Sequence, residues 1–244
     1  MKVSIKNVKI NYIDYGESRK GTILLLHGWG QNIEMMKPVG DAYAKDYRIL
    51  IMDLPGFGDS TEPDFAWNVP DYVEMVHEFL TEVKAQDVIV MGHSYGGKIG
   101  LLYASKYELK KLVLFGSPFK KEVQKLSFKT KVLKQLKKVP GLNKLEGFAK
   151  KHIGSTDYRN ASPIMREILV NTVNLDITEE VKKINCSTLI IWGTLDEAVP
   201  LERAYELEKL IKDAGVVVYD GCTHYAYLER LQQTINVVRI FLES

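Results

Sequence analysis

The chain has 244 residues, of which 45% are hydrophobic and 26% are charged, and its formal net charge at pH 7 is +2. These values are typical of a globular protein and allow one domain or a core with a modest insertion. Such a small net charge gives no indication of a nucleic-acid partner, and no nucleic-acid motif appears.

The amino terminus and the cysteines indicate the compartment. The first ten residues alternate apolar and polar side chains, so no secretory signal is visible, and no apolar run approaches the length of a membrane span. Cys186 and Cys222 lie outside any C-x-x-C pair and could form one bridge at most. We therefore expect free thiols, a cytoplasmic location and no transmembrane segment.

Strands and helices are predicted to alternate along the chain. Residues 3–15 read as two short strands around Asn7, a hairpin at one edge of a sheet. The further predicted strands are 22–26, 47–52, 88–91, 111–115, 188–192 and 216–219, and the predicted helices are 31–45, 69–84, 98–105, 201–212 and 225–242. This alternation predicts an α/β fold, a mostly parallel sheet with helices on both faces.

The alternation stops after Pro118, because no further buried strand is predicted before Thr188. Ser162 and Pro163 resemble a helix N-cap followed by a proline in the first turn. Other apolar positions in this stretch recur at helical spacing: Leu142, Leu145, Phe148 and Ala149. We expect residues 118–184 to form a helical cap inserted into a core of residues 1–117 and 185–244.

The stretch 88–97 organises these elements. Its apolar run stops at Gly92, and the pattern Gly92-x-Ser94-x-Gly96 is typical of a nucleophile elbow, a sharp turn from strand to helix that exposes a serine hydroxyl. A bare pattern of this kind also fits an ordinary glycine-rich turn. The predicted strand before it and the helix after it favour the elbow.

A serine hydroxyl needs a base to activate it and a carboxylate to orient that base. The partners should follow strands, because open α/β sheets bind ligands at the carboxyl ends of their strands. Asp196 follows one predicted strand and His224 follows the last one. Glu197 is an alternative acid, and His224 could instead cap the final helix. Cys222 is an alternative nucleophile, although no elbow surrounds it.

The other histidines fit the role of base less well. His27 and His93 belong to glycine-rich turns, His77 to a helix and His152 to the predicted cap. The loop that follows the strand 111–115 begins Gly116-Ser117-Pro118 and therefore offers no carboxylate as an alternative orienting acid.

Two backbone amides are expected to stabilise an oxyanion. The amide of Tyr95 lies at the start of the elbow helix, where the helix dipole favours negative charge. Trp29 would supply the second amide, and its side chain could also cover the pocket. We expect Trp29, Tyr95 and Val199 to line the substrate pocket.

With these motifs the chain resembles the α/β-hydrolase fold superfamily, specifically cap-bearing members with a His-Gly-x-Gly oxyanion loop. The resemblance spans nearly the whole chain, including the turn that begins at Asp53. It implies that Ser94 is the nucleophile, His224 the base and Asp196 the orienting acid, and that Trp29 and Tyr95 donate to the oxyanion. Asp53 is expected to be structural.

The expected activity is hydrolysis of a small-molecule ester or thioester with a small to medium acyl group, through an acyl-enzyme and without metal or cofactor. Trp29 replaces a glycine found in the loop of many lipases, so bulky-alcohol substrates are less expected. Hydrolysis of a carbon-carbon bond in a diketone is the alternative within the fold. Epoxide hydrolases and haloalkane dehalogenases are less expected, because by resemblance they have aspartate at the position of Ser94. A non-catalytic ligand receptor or scaffold is the alternative of another class.

The segment 119–151 is strongly basic. It contains 11 lysines and only two acidic residues, Glu122 and Glu146. Such a segment is most often a solvated helix face, and the functional alternative is attraction of an anionic substrate or membrane surface. Oligomeric state does not follow from any of these patterns.

If the segment attracts anionic substrates, turnover of an anionic ester should weaken as salt rises, while turnover of a neutral ester of equal chain length should not. Steady-state kinetics at low and high salt measures this. An equal response of the two esters would contradict the functional alternative.

Overall fold

The computed structural model describes residues 1–121, 158–159 and 161–244. Three sequence predictions lie outside these residues: the helical spacing at Leu142, Leu145, Phe148 and Ala149, the position of His152, and all but the first three residues of the basic segment.

The described residues form one eight-stranded sheet with the order β1-β2-β4-β3-β5-β6-β7-β8. The strands are β1 Lys2–Ile5, β2 Val8–Gly16, β3 Thr22–Leu26, β4 Arg48–Met52, β5 Val88–His93, β6 Lys111–Phe115, β7 Ser187–Gly193 and β8 Ala214–Tyr219. Strands β3 to β8 are parallel, and β1 and β2 add antiparallel pairs at one edge. The predicted α/β fold with a mostly parallel sheet is confirmed.

The predicted edge hairpin forms because its turn tolerates left-handed backbone. Ile5 pairs with Val8, so the loop has two residues, and both Lys6 and Asn7 have positive φ, at 49° and 64°. Two-residue hairpin loops with positive φ at both positions match the twist of the flanking strands, and asparagine tolerates this conformation better than most residues. The turn therefore fixes the register of the edge pair.

Helices cover both faces of the sheet. They are α1 Ile33–Asp41, α2 Val69–Glu82, α3 Tyr95–Lys106, α4 Pro163–Asn174, α5 Thr178–Val181, α6 Glu202–Leu210, α7 Ala226–Glu229 and α8 Leu231–Glu243. Alternate side chains of a strand enter opposite cores: Leu24 and Leu26 pack on the face of α2 and α3, whereas Ile23 and Leu25 pack on the face of α1 and α8. Both faces are buried, which explains why the central strands read as continuous apolar runs.

The bounds of all five predicted helices differ from those in the structure, and the first and last differ most. The first helix ends at Asp41. After it, the amides of Ala42 and Tyr43 donate to the carbonyls three residues earlier and not four, so the α-helical pattern stops. The predicted closing helix is divided at Arg230, whose φ of −120° and ψ of 45° are not helical. Apolar spacing continues through both places, so it does not detect these changes in backbone.

The described part of the predicted cap is tied to the core. Ser162 accepts a hydrogen bond from the Met165 amide at 3.1 Å and caps α4, as predicted. The buried Lys98 ammonium on α3 donates to the carbonyls of Thr172 (2.8 Å) and Leu175 (2.6 Å). These carbonyls lie at the end of α4, where the helix dipole favours a cation. No strand occurs between β6 and β7 among the described residues.

Asp53 is structural, as predicted. Its buried carboxylate accepts hydrogen bonds from the amides of Ile33 (2.8 Å) and Asp59 (2.9 Å) and from the Asn11 side chain (2.8 Å). Three donors satisfy a buried charge that would otherwise be costly. The turn after β4 is thereby joined to the start of α1.

Both cysteines are free thiols, in agreement with the prediction, and burial raises the pKa of Cys186. Cys222 is buried. Over the residues that the structure describes, no helix is both long and apolar enough to cross a membrane.

Candidate active site

The nucleophile elbow is formed between β5 and α3. Ser94 has φ of 50° and ψ of −112°, and its amide donates to the Phe115 carbonyl of β6 at 2.9 Å. A non-glycine residue held in this region costs about 1 to 3 kcal/mol. Strand and helix also approach closely, because a Cβ on Gly92 would lie 2.6 Å from the Gly97 Cα. Ser94 is consequently half-exposed at the carboxyl end of the central strands.

Asp196 and His224 meet across the ends of β7 and β8. His224 Nδ1 lies 2.7 Å from Asp196 Oδ2, and the other carboxylate oxygen accepts the amides of Ala198 (2.9 Å) and Val199 (2.8 Å). An ionised carboxylate only accepts, so Nδ1 carries the proton and donates it. In the tautomer with the proton on Nδ1, the lone pair is on Nε2, for which no acceptor or donor is found among the described residues. The alternative acid Glu197 is exposed, and it is Asp196 that contacts the imidazole.

A glycine, Gly116, leaves the space that the His224-Asp196 pair occupies. Gly116 follows β6 directly and has φ of 53°. A Cβ at Gly116 would lie 3.0 Å from His224 Nδ1 and 3.2 Å from Asp196 Oδ2. Phe115, the residue before Gly116, accepts the Ser94 amide, so the elbow and the His224-Asp196 pair share one short segment.

The loop after β3 is held by His27. Its Nε2 accepts the Leu54 amide at 2.9 Å, so the proton is on Nδ1, which donates to the Gly28 carbonyl at 2.7 Å. The His27 carbonyl accepts the Gly96 amide at 3.1 Å, which joins this loop to the first turn of α3. Within the described residues, the amides of Trp29 and Tyr95 have no hydrogen-bond acceptor.

The three residues predicted to line the pocket occupy two places. The rings of Trp29 and Tyr95 are in edge contact at 5.4 Å, within a group that also includes Phe57 and Tyr72. Val199 lies apart from this group: it is buried, its amide binds Asp196 and its carbonyl accepts the Trp192 indole at 3.0 Å. A pocket role for these residues stays a prediction.

His93, predicted to lie in a glycine-rich turn, has side-chain contacts that the sequence does not predict. Its side chain is fully buried, with Nε2 3.0 Å from the His224 carbonyl and Nδ1 3.1 Å from Gln31 Oε1. Gln31 Oε1 also accepts the Gly28 amide at 3.0 Å. A signal was available, since His93 directly precedes Ser94, but its partners are remote in sequence.

Metal ligation has no evident place in the described part of the chain, where no three His, Cys, Asp or Glu side chains are grouped to hold an ion.

Burial keeps two of these histidines neutral. It lowers the pKa of His27 to about 4 and that of His93 to about 3, from an ordinary value of 6.5. A histidine in the unfolded chain takes up its proton near pH 6.5, whereas these two do so only at lower pH. Keeping these two rings neutral therefore costs no stability above about pH 6.5, and the folded state loses stability progressively as the pH falls from about 6.5 toward 3.

We expect the ring resonances of His27 and His93 to stay constant between about pH 8 and about pH 5.5 in the folded protein, with His27 protonated on Nδ1. Histidine-selective NMR measures both, and His93→Gln assigns the His93 signal. Titration of either ring near pH 6.5 would contradict the neutral state.

Comparisons with known proteins identify the family of this chain. A model of the alpha/beta hydrolase family matches residues 23–237. A pimeloyl-[acyl-carrier protein] methyl ester esterase of Aliivibrio fischeri is 24% identical, over 93% of this chain and 96% of that protein. A 2-hydroxy-6-oxo-6-(2'-aminophenyl)hexa-2,4-dienoic acid hydrolase of Metapseudomonas resinovorans is 25% identical, over 98% of this chain and 89% of that one.

Solved structures agree on the fold. The crystal structure of a membrane phospholipase A, described as a bacterial virulence factor, superposes with a TM-score of 0.80 at 24% identity and covers all of this chain and 85% of that one. The family match spans β3 to α8, which includes the elbow, Asp196 and His224. The chain belongs to the alpha/beta hydrolase family.

Proposed function

We propose that this protein is a serine hydrolase that cleaves an ester or thioester of a small to medium acyl group through an acyl-enzyme intermediate. Ser94 is the nucleophile, His224 the base and Asp196 the acid that orients it. The observation that carries the proposal is the 2.7 Å contact between His224 and Asp196, made at the same edge of the sheet as a serine held in a strained elbow.

The protonation states support this assignment. Because Nδ1 of His224 donates to Asp196, Nε2 has a lone pair with which to accept the Ser94 proton. The Ser94 oxygen then attacks the substrate carbonyl carbon. His224 returns the proton to the leaving alcohol or thiol, and a water molecule, deprotonated by the same imidazole, releases the acid.

The free amides of Trp29 and Tyr95 are the proposed oxyanion donors. Neither has an acceptor among the described residues, and Tyr95 begins helix α3, whose dipole favours negative charge. Removal of one such donor reduces rates by about 100- to 1000-fold in a well-studied protease. Both donors are backbone groups, so a side-chain substitution does not remove them.

The ester substrate class is supported by the methyl ester esterase among the relatives, which this chain matches over nearly its full length. A second candidate is hydrolysis of a carbon-carbon bond, which the dienoic acid hydrolase favours at similar identity. Activity on p-nitrophenyl esters and thioesters of graded length, against activity on a vinylogous diketone acid, discriminates the two. A non-catalytic receptor is disfavoured, because ligand binding alone requires neither Asp196 nor His224.

The cap boundaries and the anionic substrate also belong to this proposal. We propose residues 118–184 as the cap, and the hydrogen bonds from Lys98 to the Thr172 and Leu175 carbonyls support a position of its described helix α4 next to α3. The lysines of the segment 119–151 would then attract an acidic acyl group or leaving group to the site.

Ser94→Ala should abolish covalent labelling by a fluorophosphonate and lower kcat by about a million-fold, as loss of the serine does in a related mechanism. Mass spectrometry of the labelled protein locates the adduct, and thermal unfolding shows that the variant is folded. Asp59→Ala, a change at an exposed side chain, is the control and should label like the wild type. A folded wild type without an adduct on Ser94 would refute the serine mechanism.

Gly116→Ala should lower kcat by about 10- to 100-fold, because the new methyl group displaces His224 and Asp196 by a few tenths of an ångström or more. The matched control is Gly221→Ala. Gly221 also has positive φ, at 70°, but a Cβ there meets nothing within 4 Å.

Both alanines should lose about 1 to 2 kcal/mol of stability through the left-handed backbone. Only Gly116→Ala should lose activity. Equal losses of kcat in the two variants would mean that backbone strain, and not contact with the His224-Asp196 pair, accounts for the effect.

A further inference from the structure

His93 lies between two loops that the proposed mechanism uses. One is the loop that carries His224, whose carbonyl is 3.0 Å from His93 Nε2. The other is the oxyanion loop, where Gln31 Oε1 is 3.1 Å from His93 Nδ1. The ring is fully buried and packs against the rings of His224 at 4.7 Å and Tyr227 at 4.9 Å.

The two nitrogen atoms of His93 both face acceptors. The Gln31 oxygen is identified as an acceptor because it also receives the Gly28 amide at 3.0 Å, and the main-chain oxygen of His224 can only accept. A neutral imidazole has one N-H group, and burial lowers the pKa of His93 to about 3. Each tautomer therefore donates to one loop and leaves a lone pair facing the other.

Space at this point is restricted as well. A Cβ on Gly28 would lie 2.8 Å from His93 Nδ1, so the oxyanion loop passes close to this nitrogen and has no room for a side chain there. Gly28 is followed by Trp29, a proposed oxyanion donor, and His93 is followed by the proposed nucleophile. Movement of the His93 ring would therefore displace the loop of His224, the backbone next to Ser94 and the oxyanion loop together.

We propose that His93 is a positioning residue that keeps the His224 loop and the oxyanion loop in register, through donation from Nε2 to the His224 carbonyl in one tautomer and from Nδ1 to Gln31 in the other. This inference rests on the proposed function, since the two loops matter only if they carry the base and the oxyanion donors. Among the described residues, the hydrogen bonds of the His93 side chain go to the His224 carbonyl and to Gln31, not to the Ser94 hydroxyl or the His224 imidazole. Its effect is expected on kcat, because small displacements of catalytic groups raise the barrier more than they weaken substrate binding.

Two substitutions separate the two contacts. The amide nitrogen of glutamine reaches about as far as histidine Nε2, and that of asparagine about as far as Nδ1. His93→Gln can therefore still donate to the His224 carbonyl, and His93→Asn can still donate to Gln31. His93→Leu keeps an apolar side chain and can donate to neither loop.

Kinetics on a p-nitrophenyl ester should show kcat lowered about 10- to 100-fold in His93→Leu with KM changed less than about threefold, and smaller losses in His93→Gln and His93→Asn. Gln31→Met completes a double-mutant cycle. Gln31→Met also removes the acceptor of the Gly28 amide in every variant. Its loss of kcat should therefore be larger in His93→Asn, which retains the contact with Gln31, than in His93→Gln, which has lost it.

A purely structural role predicts a different result. If His93 only fills space, the Asn and Gln variants should respond alike to Gln31→Met, and that outcome overturns the inference. A kcat for His93→Leu within about twofold of the wild type also overturns it. If His93→Leu does not fold, the inference is tested by one comparison alone. This comparison is the change in kcat that Gln31→Met causes in His93→Asn against the change that it causes in His93→Gln.

Fluorophosphonate labelling of the wild type keeps the two proposals distinguishable. A wild type without an adduct on Ser94 overturns the serine mechanism and this inference with it. A labelled wild type whose His93 variants keep full kcat overturns the inference alone.

Discussion

The hydrogen bond between His224 and Asp196 determines the chemical state of the whole candidate site. Two backbone amides hold one carboxylate oxygen, which leaves the other aimed at Nδ1 of the imidazole. The tautomer of His224 follows from this geometry, and so does the direction in which a proton can move. The fold contributes by bringing together loops after adjacent parallel strands, because the ends of β7 and β8 lie side by side.

Three histidines near this edge of the sheet have separate tasks because their surroundings differ. His27 is held in one tautomer by an amide donor and a carbonyl acceptor, so it connects the loop after β3 to the turn after β4. His93 faces two acceptors and is satisfied by neither tautomer alone. His224 has one carboxylate partner, and its side chain is largely buried but keeps 15% of its surface exposed.

The sequence predicts those features that depend on local pattern or strand order. The strands Thr22–Leu26 and Lys111–Phe115 agree with their predicted bounds, since strands buried on both faces read as uninterrupted apolar runs. The contact of Asp196 with His224 was also predictable, because both follow strands of one parallel sheet. The role of Gly116 and the partners of His93 depend on side-chain distances between remote segments, which spacing along the chain does not encode.

The backbone of Ser94 has a consequence for how this sequence can change over time. Its conformation, with φ of 50°, is one that glycine adopts without penalty and serine does not. A lineage under selection for folding alone would therefore drift toward glycine at this position and gain thermodynamic robustness. A serine here costs the chain stability that a glycine would not, and strained backbone of this kind is concentrated at functional sites.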